Sequence, residues 1–502
     1  MVERLQEGDL LAAVDLGSNS FHLVVARHVL GQLRVVDRLK ETVRMANGLD
    51  GRGGLSKEVM QRSLDALARL GQRVRTLPGH RVRAIATNTV RQLKNPQSFL
   101  IPGETALGHS IEVVSGREEA RLIYLGVAQG HPPSRKRRLV MDIGGGSTEF
   151  IIGQGFSALE RESLQMGCIA STRRFFANGK LSHKRWREAL TGVSAEFQQF
   201  ATAFRARGWQ ETLGSSGTIK AVGEVLAAMK LTRGSITPSA LAELRDQMLK
   251  ADSIDEIKLP GLNDERRPVI AGGVLVLEAA FNELGLMRMQ VAETAMREGV
   301  LYDMLGRVTN QDPRDASVAA LAERYGIDKD QAGRVEQTAL ALFEQVERRW
   351  KLGDEDRLLL GWASRIHEIG LSIAHSQYHV HGAYLVRHSD IAGFSTTDQE
   401  LLSALVRCQR RSLSSSALSA LRERNAESTV WGILLLRLAV LIHRSHDPLS
   451  LPNLQLNGQP PQLQLELPKA WLDQHPLTRH DLEAEQAYLQ EVGVELKIQP
   501  LD

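Results

Sequence analysis

The stretch from Leu139 to Glu149 constrains this chain most. An apolar run, Leu139-Val140-Met141, delivers Asp142 and Ile143 to three consecutive glycines, Gly144, Gly145 and Gly146, and Ser147-Thr148-Glu149 leads into a second run, Phe150-Ile151-Ile152. Glycines let the backbone approach an anion and turn several amides toward it, while Asp142 and Glu149 are hard oxygen donors able to hold a divalent ion. The other reading is a tight β-hairpin whose glycines only supply positive φ. The order recurs near the start of the chain, where Leu11 to Val14 lead to Asp15-Leu16-Gly17-Ser18-Asn19-Ser20 and then Phe21 to Val25. Two such turns far apart predict a duplicated unit whose halves face each other across a cleft, one turn on each wall.

A chain of 502 residues is too long for one core, so about three or four domains are expected. A hydrophobic share of 42% and a charged share of 24% are those of a soluble globular protein. The two cysteines, Cys168 and Cys408, cannot make a disulfide framework, which fits a reducing compartment. Met1 to Glu7 lacks the apolar core of a signal peptide. The run Val430 to Ile442, interrupted by Arg437, is too short for a membrane span and reads as a buried helix, so a cytoplasmic protein is expected. A net charge of +3 leaves polyanion affinity to local clustering.

In chain order, strands are predicted at Leu10–Asp15, Ser20–Ala26 and Gln32–Asp37, then a helix capped by Ser56. A strand from Arg81 to Ala86 runs into Thr87-Asn88-Thr89-Val90-Arg91, which places Arg91 at a sheet edge where ligands gather. Ser110–Val114 leads through Ser115-Gly116-Arg117-Glu118-Glu119-Ala120 into a helix; the plain role for the two glutamates is to offset the positive helix end. The second half repeats the plan with strands at Arg138–Asp142, Ser147–Gly153 and Ala158–Gln165, and one helix over Lys184–Ala203. Gly214-Ser215-Ser216-Gly217-Thr218 then opens another helix, whose amides suit phosphate or ribose. Glu265-Arg266-Arg267 precedes a helix rich in small residues, and Met287–Val291 reads as a strand passing into Glu293 to Leu301.

Six motifs in this order, Asp15 to His22, Ser115 to Ala120, Asp142 to Glu149, Met166-Gly167-Cys168, Gly214 to Thr218 and Arg297-Glu298-Gly299, resemble the exopolyphosphatase and guanosine pentaphosphate phosphohydrolase family of the actin, hexokinase and Hsp70 superfamily. The resemblance covers essentially the whole chain. It implies an α/β fold with two actin-like domains (1–123 and 124–307), an all-helical HD-like domain (308–447) and a small α+β domain (448–502), and it suggests a homodimer. Glu119 would orient and deprotonate a water, with Glu118 facing away. Asp142 and Glu149 would hold Mg²⁺, directly or through water. Gly144, Gly145, Gly146 and Ser147 would bind the terminal phosphoryl group through their amides, with Asn19 and Arg91 on the opposite wall and Ser216 and Arg267 as further phosphate contacts. The chain departs from the pattern at Ala292-Glu293-Thr294-Ala295, where many relatives carry a glycine before the alanine, and Arg297 could serve the site or the fold.

Beyond Arg307 the periodicity is helical. Ile366-His367-Glu368-Ile369-Gly370, with His375, His379, His381 and His388, resembles the HD phosphohydrolase fold, although the His-Asp pair is His367-Glu368 here. His379, His381, Arg387, His388, Arg407, Arg410 and Arg411 are expected to line one polyanion track; a solvated helix face is the alternative. After Pro448 a separate unit is expected, a hairpin turning at Asn457-Gly458, a helix near Asp481–Gln490 and a strand at Val494–Ile498. The sequence thus points first to a Mg²⁺-dependent exopolyphosphatase acting on inorganic polyphosphate, and next to a guanosine pentaphosphate phosphohydrolase. An ATP-dependent sugar kinase fits less well, because Glu119 favours water as nucleophile, and a polyanion-binding module without turnover leaves Glu119, Asp142 and Glu149 unexplained.

Overall fold

Both faces of β1 (Leu10–Leu16) are buried, which is why its apolar run is almost unbroken. Ala12, Val14 and Leu16 enter one core and Leu11 and Ala13 another, the period of two that a central strand imposes. The computed structural model describes residues 5–308 except 133 and 233, and 312–501 except 414–420, 422–426 and 448–452, so the boundary drawn at Pro448 falls outside the described residues. The chain divides into two units, Arg4–Gln311 and Asp312–Asp502.

In the first unit β1 pairs antiparallel with β2 (Ser20–Val29), which pairs with β3 (Gln32–Thr42), and parallel with β4 (Val82–Ala86), followed by β5 (Ile111–Val113), giving the order β3-β2-β1-β4-β5. The helices here are α1 (Lys57–Val74), α2 (Asn88–Arg91), α3 (Gln97–Leu107) and α4 (Gly116–Gln129). Ser56 caps α1, its hydroxyl accepting from the Val59 amide at 3.4 Å. The plan repeats. β6 (Arg137–Ile143) pairs antiparallel with β7 (Thr148–Gln154) and parallel with β9 (Glu211–Ser215); with β8 (Ser157–Leu164), β10 (Ser235–Ile236) and β11 (Met289–Val291) the order is β10-β11-β9-β6-β7-β8.

Around the second sheet lie α5 (Cys168–Phe175), α6 (His183–Phe197), α7 (Ala201–Arg207), α8 (Ser216–Ala228), α9 (Pro238–Met248) and α10 (Arg267–Leu284). The single helix expected over Lys184–Ala203 is two helices; Phe197 and Phe200 on either side of the break both pack on Phe150, at 5.3 and 5.1 Å between ring centroids.

The next helix, α11 (Met296–Val308), follows the second sheet in sequence yet packs on α4 and on β1 and β2 of the first. Leu122 and Ile123 of α4 and Val300 and Leu301 of α11 share a core with Leu11 and Ile85 of one sheet and Val140 and Ile151 of the other. Two glycines permit this approach. A Cβ on Gly299 would stand 1.8 Å from the Leu122 carbonyl oxygen, and one on Gly126 would stand 2.1 Å from that of Ala295.

The second unit contains α12 (Pro313–Arg324), α13 (Lys329–Trp350), α14 (Asp354–Ile366), α15 (Tyr378–His388), α16 (Thr396–Cys408) and α17 (Glu427–Ile442), then β12 (Gln455–Gln459), β13 (Gln462–Pro468), α18 (Lys469–Gln474), α19 (Pro476–Gln490) and β14 (Glu495–Leu501). The tail does not stand apart: Leu456, Leu465, Leu482 and Leu496 join the same core as Phe343 and Leu435 of the helices. Arg437, 1% exposed in the apolar α17, is tolerated because Glu485 of α19 takes it at 2.5 and 2.7 Å. The hairpin turns at Pro460-Pro461, not at Asn457-Gly458, which lies within β12 with Gly458 opposite Leu463. Among the described residues no helix is long and apolar enough to cross a membrane.

Candidate active site in the cleft of the first unit

Equivalent loops at the ends of β1 and β6 meet across the cleft. A Cβ on Gly145 would come 3.1 Å from the Ser18 Cβ, and one on Gly146 would come 2.3 Å from the Asn88 side-chain oxygen, so only glycine allows the two walls to touch. The cavity behind them measures about 250 Å³ and is lined by Asn19, Glu119, Asp142, Gly144, Gly145, Gly146, Ser147 and Ser216, all expected from the sequence. The Gly144 amide is already spent on the Ser147 carbonyl, at 2.9 Å. The amides of Gly145, Gly146 and Ser147 have no partner among the described residues and are the ones able to hold an anion.

Glu119 sits in the first turn of α4, capped by Ser115, and is 8% exposed. Its carboxylate accepts from Arg91 Nη1 at 2.9 Å, and the same nitrogen donates to the Val114 carbonyl at 2.7 Å. Burial raises the Glu119 pKa against the opposing pull of Arg91. Glu118 turns away, clamped by Arg121 at 2.8 Å through both oxygens. Behind it, Arg83 and Arg121 each reach Asp303 at 2.5 Å, a buried network tying α4 and β4 to α11.

Asp142 faces Glu149 across the β6–β7 register. Burial pushes Asp142 up to about 6, opposed by the Ser215 hydroxyl and reinforced by Glu119. Glu149, 1% exposed and bonded by Ser163 at 2.9 Å, is raised well above the usual range by burial, Glu119 and Asp142. Asp15, the counterpart of Asp142 in the first lobe, rises to about 7 through burial, and its Oδ1 is buried with no partner among the described residues. Four buried carboxyls, with Glu119 raising the other three and one oxygen orphaned among the described residues, form a donor set of the kind a hard divalent cation neutralises. Among the described residues no three such side chains converge to hold an ion by themselves.

Ser216 has φ of 91°, a strained value for a residue other than glycine. Its hydroxyl oxygen accepts from the Thr218 and Ile219 amides at 3.2 Å, which leaves its O–H free to donate into the cavity. Arg267 does not reach the cavity; it pairs with Asp264 one turn away. Its neighbour Arg266 takes that place, lying so close to Gly217 that a Cβ there would be 2.0 Å from Nη2.

Sequence reasoning also passed over His22, Lys40 and Lys220, which line the cavity, as does Arg297, which the sequence left between site and fold. Register puts Asp15 beside His22 and His22 beside Lys40, a row across three strands. Burial, helped by Arg297, Lys40 and Arg266, pushes His22 down to about 3, so it is neutral among cations. Glu293 is 89% exposed and pairs with Lys220 at 3.3 Å, at the edge of the same cavity.

In the second unit the seven track residues do not form one row. On α15, His379 and His381 are about 200° apart around the helix axis. His379 joins Arg407, Arg410 and Arg411, whereas His388 packs on Tyr384 at 4.5 Å and Arg387 pairs with Glu400 at 3.3 Å.

The profile of the Ppx/GppA phosphatase family matches residues 24–308, and that of Ppx/GppA phosphatase domain III matches residues 314–486. A guanosine-5'-triphosphate,3'-diphosphate pyrophosphatase from Aeromonas hydrophila is 36% identical over 490 residues, 97% of this chain and 98% of that protein. Among solved structures, an exopolyphosphatase from Cytophaga hutchinsonii is 24% identical with a TM-score of 0.54, covering 60% of this chain and 98% of its own. The Aquifex aeolicus PPX-GPPA enzyme is 24% identical with a TM-score of 0.50, covering 58% and 98%. These two likenesses bear on the fold alone, and only on the part of the chain they cover; the whole is α/β, with two sheet-containing lobes, a helical domain and a small C-terminal sheet. Matched over nearly its whole length, the chain belongs to the Ppx/GppA phosphatase family.

Proposed function

We propose that the protein hydrolyses the terminal phosphoanhydride of guanosine 5'-triphosphate 3'-diphosphate, releasing orthophosphate. The observation that carries the chemistry is Glu119, a buried carboxylate oriented by Arg91 beside a loop of unpartnered amides. Glu119 takes a proton from a water whose oxygen attacks the terminal phosphorus. The bridging P–O bond breaks, and the leaving phosphate carries away the electron pair. The amides of Gly145, Gly146 and Ser147, with Asn19 and the Ser216 hydroxyl, hold the transferred phosphoryl group. Arg266, Lys40 and Arg297 meet the charge of the phosphates that leave. Mg²⁺ fits Asp142 and Glu149, with Asp15 added to that set, and when bound supplies neutralising charge on the phosphoryl oxygens.

The nucleotide is placed ahead of inorganic polyphosphate, reversing the order drawn from sequence. Two observations support the reversal: the 36% identity over nearly the full length to a relative named as a pyrophosphatase of that nucleotide, and the separation of the expected track residues onto different faces. Polyphosphate is the second reading, since Lys40, Lys220, Arg266 and Arg297 at the cavity would serve either substrate. The family resemblance further suggests a homodimer in solution, to be checked by sedimentation. The deciding experiment compares phosphate release from guanosine pentaphosphate, long-chain polyphosphate and ATP, with Mg²⁺ and with chelator. Nucleotide turnover that needs Mg²⁺ and falls at least a thousandfold in Glu119→Gln is expected; release from polyphosphate alone would overturn the assignment.

A further inference from the structure

A cavity of about 510 Å³ opens inside the second unit, between the ends of α14 and α16, the start of α15, and α17 and α19. Its carboxylates are engaged: Glu485 with Arg437 at 2.5 and 2.7 Å, Asp481 with Arg444 at 2.6 Å, and Glu368 beside His446 Nε2 at 3.2 Å. Arg410 and Arg411, on the same wall, have no carboxylate partner among the described residues.

Their placement is built into the end of α16. Gln409, 1% exposed, anchors the chain by donating to the carbonyls of His367 and Val406 at 2.5 and 3.0 Å. Arg437 donates to the carbonyls of Cys408 and Arg411, both at 2.7 Å, satisfying oxygens that a helix end leaves bare. These bonds hold Arg411 at φ of 66°, in the left-handed region, and Arg410 rests over the Tyr378 ring at 4.7 Å. The neighbouring His379 registers the resulting field: burial, then Arg410, Arg407, Arg411 and Arg437, push it down to about 4.

The lining also has apolar and aromatic parts: Leu371, Val440, Leu441 and Ala484, together with Tyr488, which shares a helix face with Asp481 and Glu485 and has Arg437 over its ring at 6.0 Å. A bare inorganic chain gains nothing from apolar and aromatic lining. A phosphate ester with a flat base uses both kinds of lining, and the volume lies in the range of small-molecule sites. We propose that this cavity is a second ligand site that binds a nucleotide, with its phosphates on Arg410 and Arg411 and its base against Tyr488 and the apolar side chains. The site stands in a different unit from the cleft and does not depend on the cleft reaction.

The test is photolabelling of the full chain with 8-azido-GTP, followed by peptide mapping. Label is expected in peptides containing Tyr378, Arg410 or Tyr488, suppressed at least tenfold by excess GTP and less than twofold by tripolyphosphate. In the double variant Arg410→Gln, Arg411→Gln this label should fall at least tenfold, while any label in residues 5–308 persists as an internal measure of folding. Ala484→Glu, which adds an unpaired carboxylate to the cavity lining, gives the same loss should the double variant fail to fold. Absence of label from the second unit overturns the proposal, as does equal protection by tripolyphosphate, which would mark a site for bare phosphate chains. Label in the second unit without label in the cleft supports it and counts against the nucleotide reading of the cleft instead.

Discussion

Replacing Gly299 with alanine should separate the two helices on which the cleft is hung. The added Cβ would lie 1.8 Å from the Leu122 carbonyl oxygen and 2.9 Å from the Gly126 amide nitrogen, both backbone atoms that cannot rotate away. To reach even a tight contact, α11 must part from α4 by more than about 1 Å, and a gap of that size forfeits roughly half of the dispersion energy along the seam. The seam includes Leu122, Ile123, Val300 and Leu301, all 2% exposed or less. A cost of about 3 kcal/mol follows, at the upper end for overpacking, which for a unit of this size lowers the melting temperature by about 4–5 °C. Activity should fall with it, because α4 carries Glu119 in its first turn and α11 carries Arg297 in its own. The matching control is Gly333→Ala in α13, where a Cβ meets nothing within 4 Å. There the same change should raise stability by about 0.5–1 kcal/mol through helix propensity and the loss of unfolded-state freedom. Calorimetry of both variants with phosphate-release assays decides the matter. A Gly299→Ala protein as stable as its parent would refute the contact argument.

Asp303→Asn leaves Arg83 and Arg121 without their shared counter-charge and should cost about 3–5 kcal/mol in urea unfolding. Burial alone would raise the Asp303 pKa, but Arg121, Arg83 and Arg307 outweigh it and hold the carboxyl far below the usual range, so acid down to pH 4 should not mimic the substitution. His443, bonded to Thr338 at 2.8 Å, is pushed down to about 4 by burial with help from Arg334. The unfolded chain therefore takes the proton first, and stability should fall as pH drops from about 6.5 toward 4, on the order of 2 kcal/mol by pH 5. His443→Gln should flatten that slope, and an unchanged slope in denaturant titrations at pH 7.5 and 5 would remove His443 as its source. Arg266→Gln should raise the KM for the phosphorylated substrate at least tenfold, the cost of a lost charge-assisted contact, whereas Arg267→Gln should change it less than twofold.

What could be read from the sequence was what the backbone dictates locally. Asp142, the three glycines and Glu149 are adjacent in the chain, and a strand–turn–strand register brings them together whatever else happens. Asp15 was equally legible, since it occupies the place of Asp142 in the repeated unit, and only its neighbours' signal as a motif kept it from being chosen. Lys40 reaches the cavity because β3 pairs with β2 in one register among several, a choice no local pattern announces. Arg266 and Arg267 differ by one position at a helix start, about 100° around the axis, and that phase is set by how α10 docks on α5 and α6. The same geometry scattered the seven track residues: a cluster of basic side chains in sequence becomes a cluster in space only when their spacing matches the helical repeat. Arg410 and Arg411 survive as a pair because they follow the last turn of α16, where the chain has left the helix and Arg437, from another helix, fixes both carbonyls around them. Side chains that gather charge in this protein are thus positioned by partners distant in sequence, while the groups proposed to handle the phosphoryl group are positioned by their immediate neighbours. Substrate choice is accordingly written in the contacts the sequence shows least, and the reaction in those it shows best.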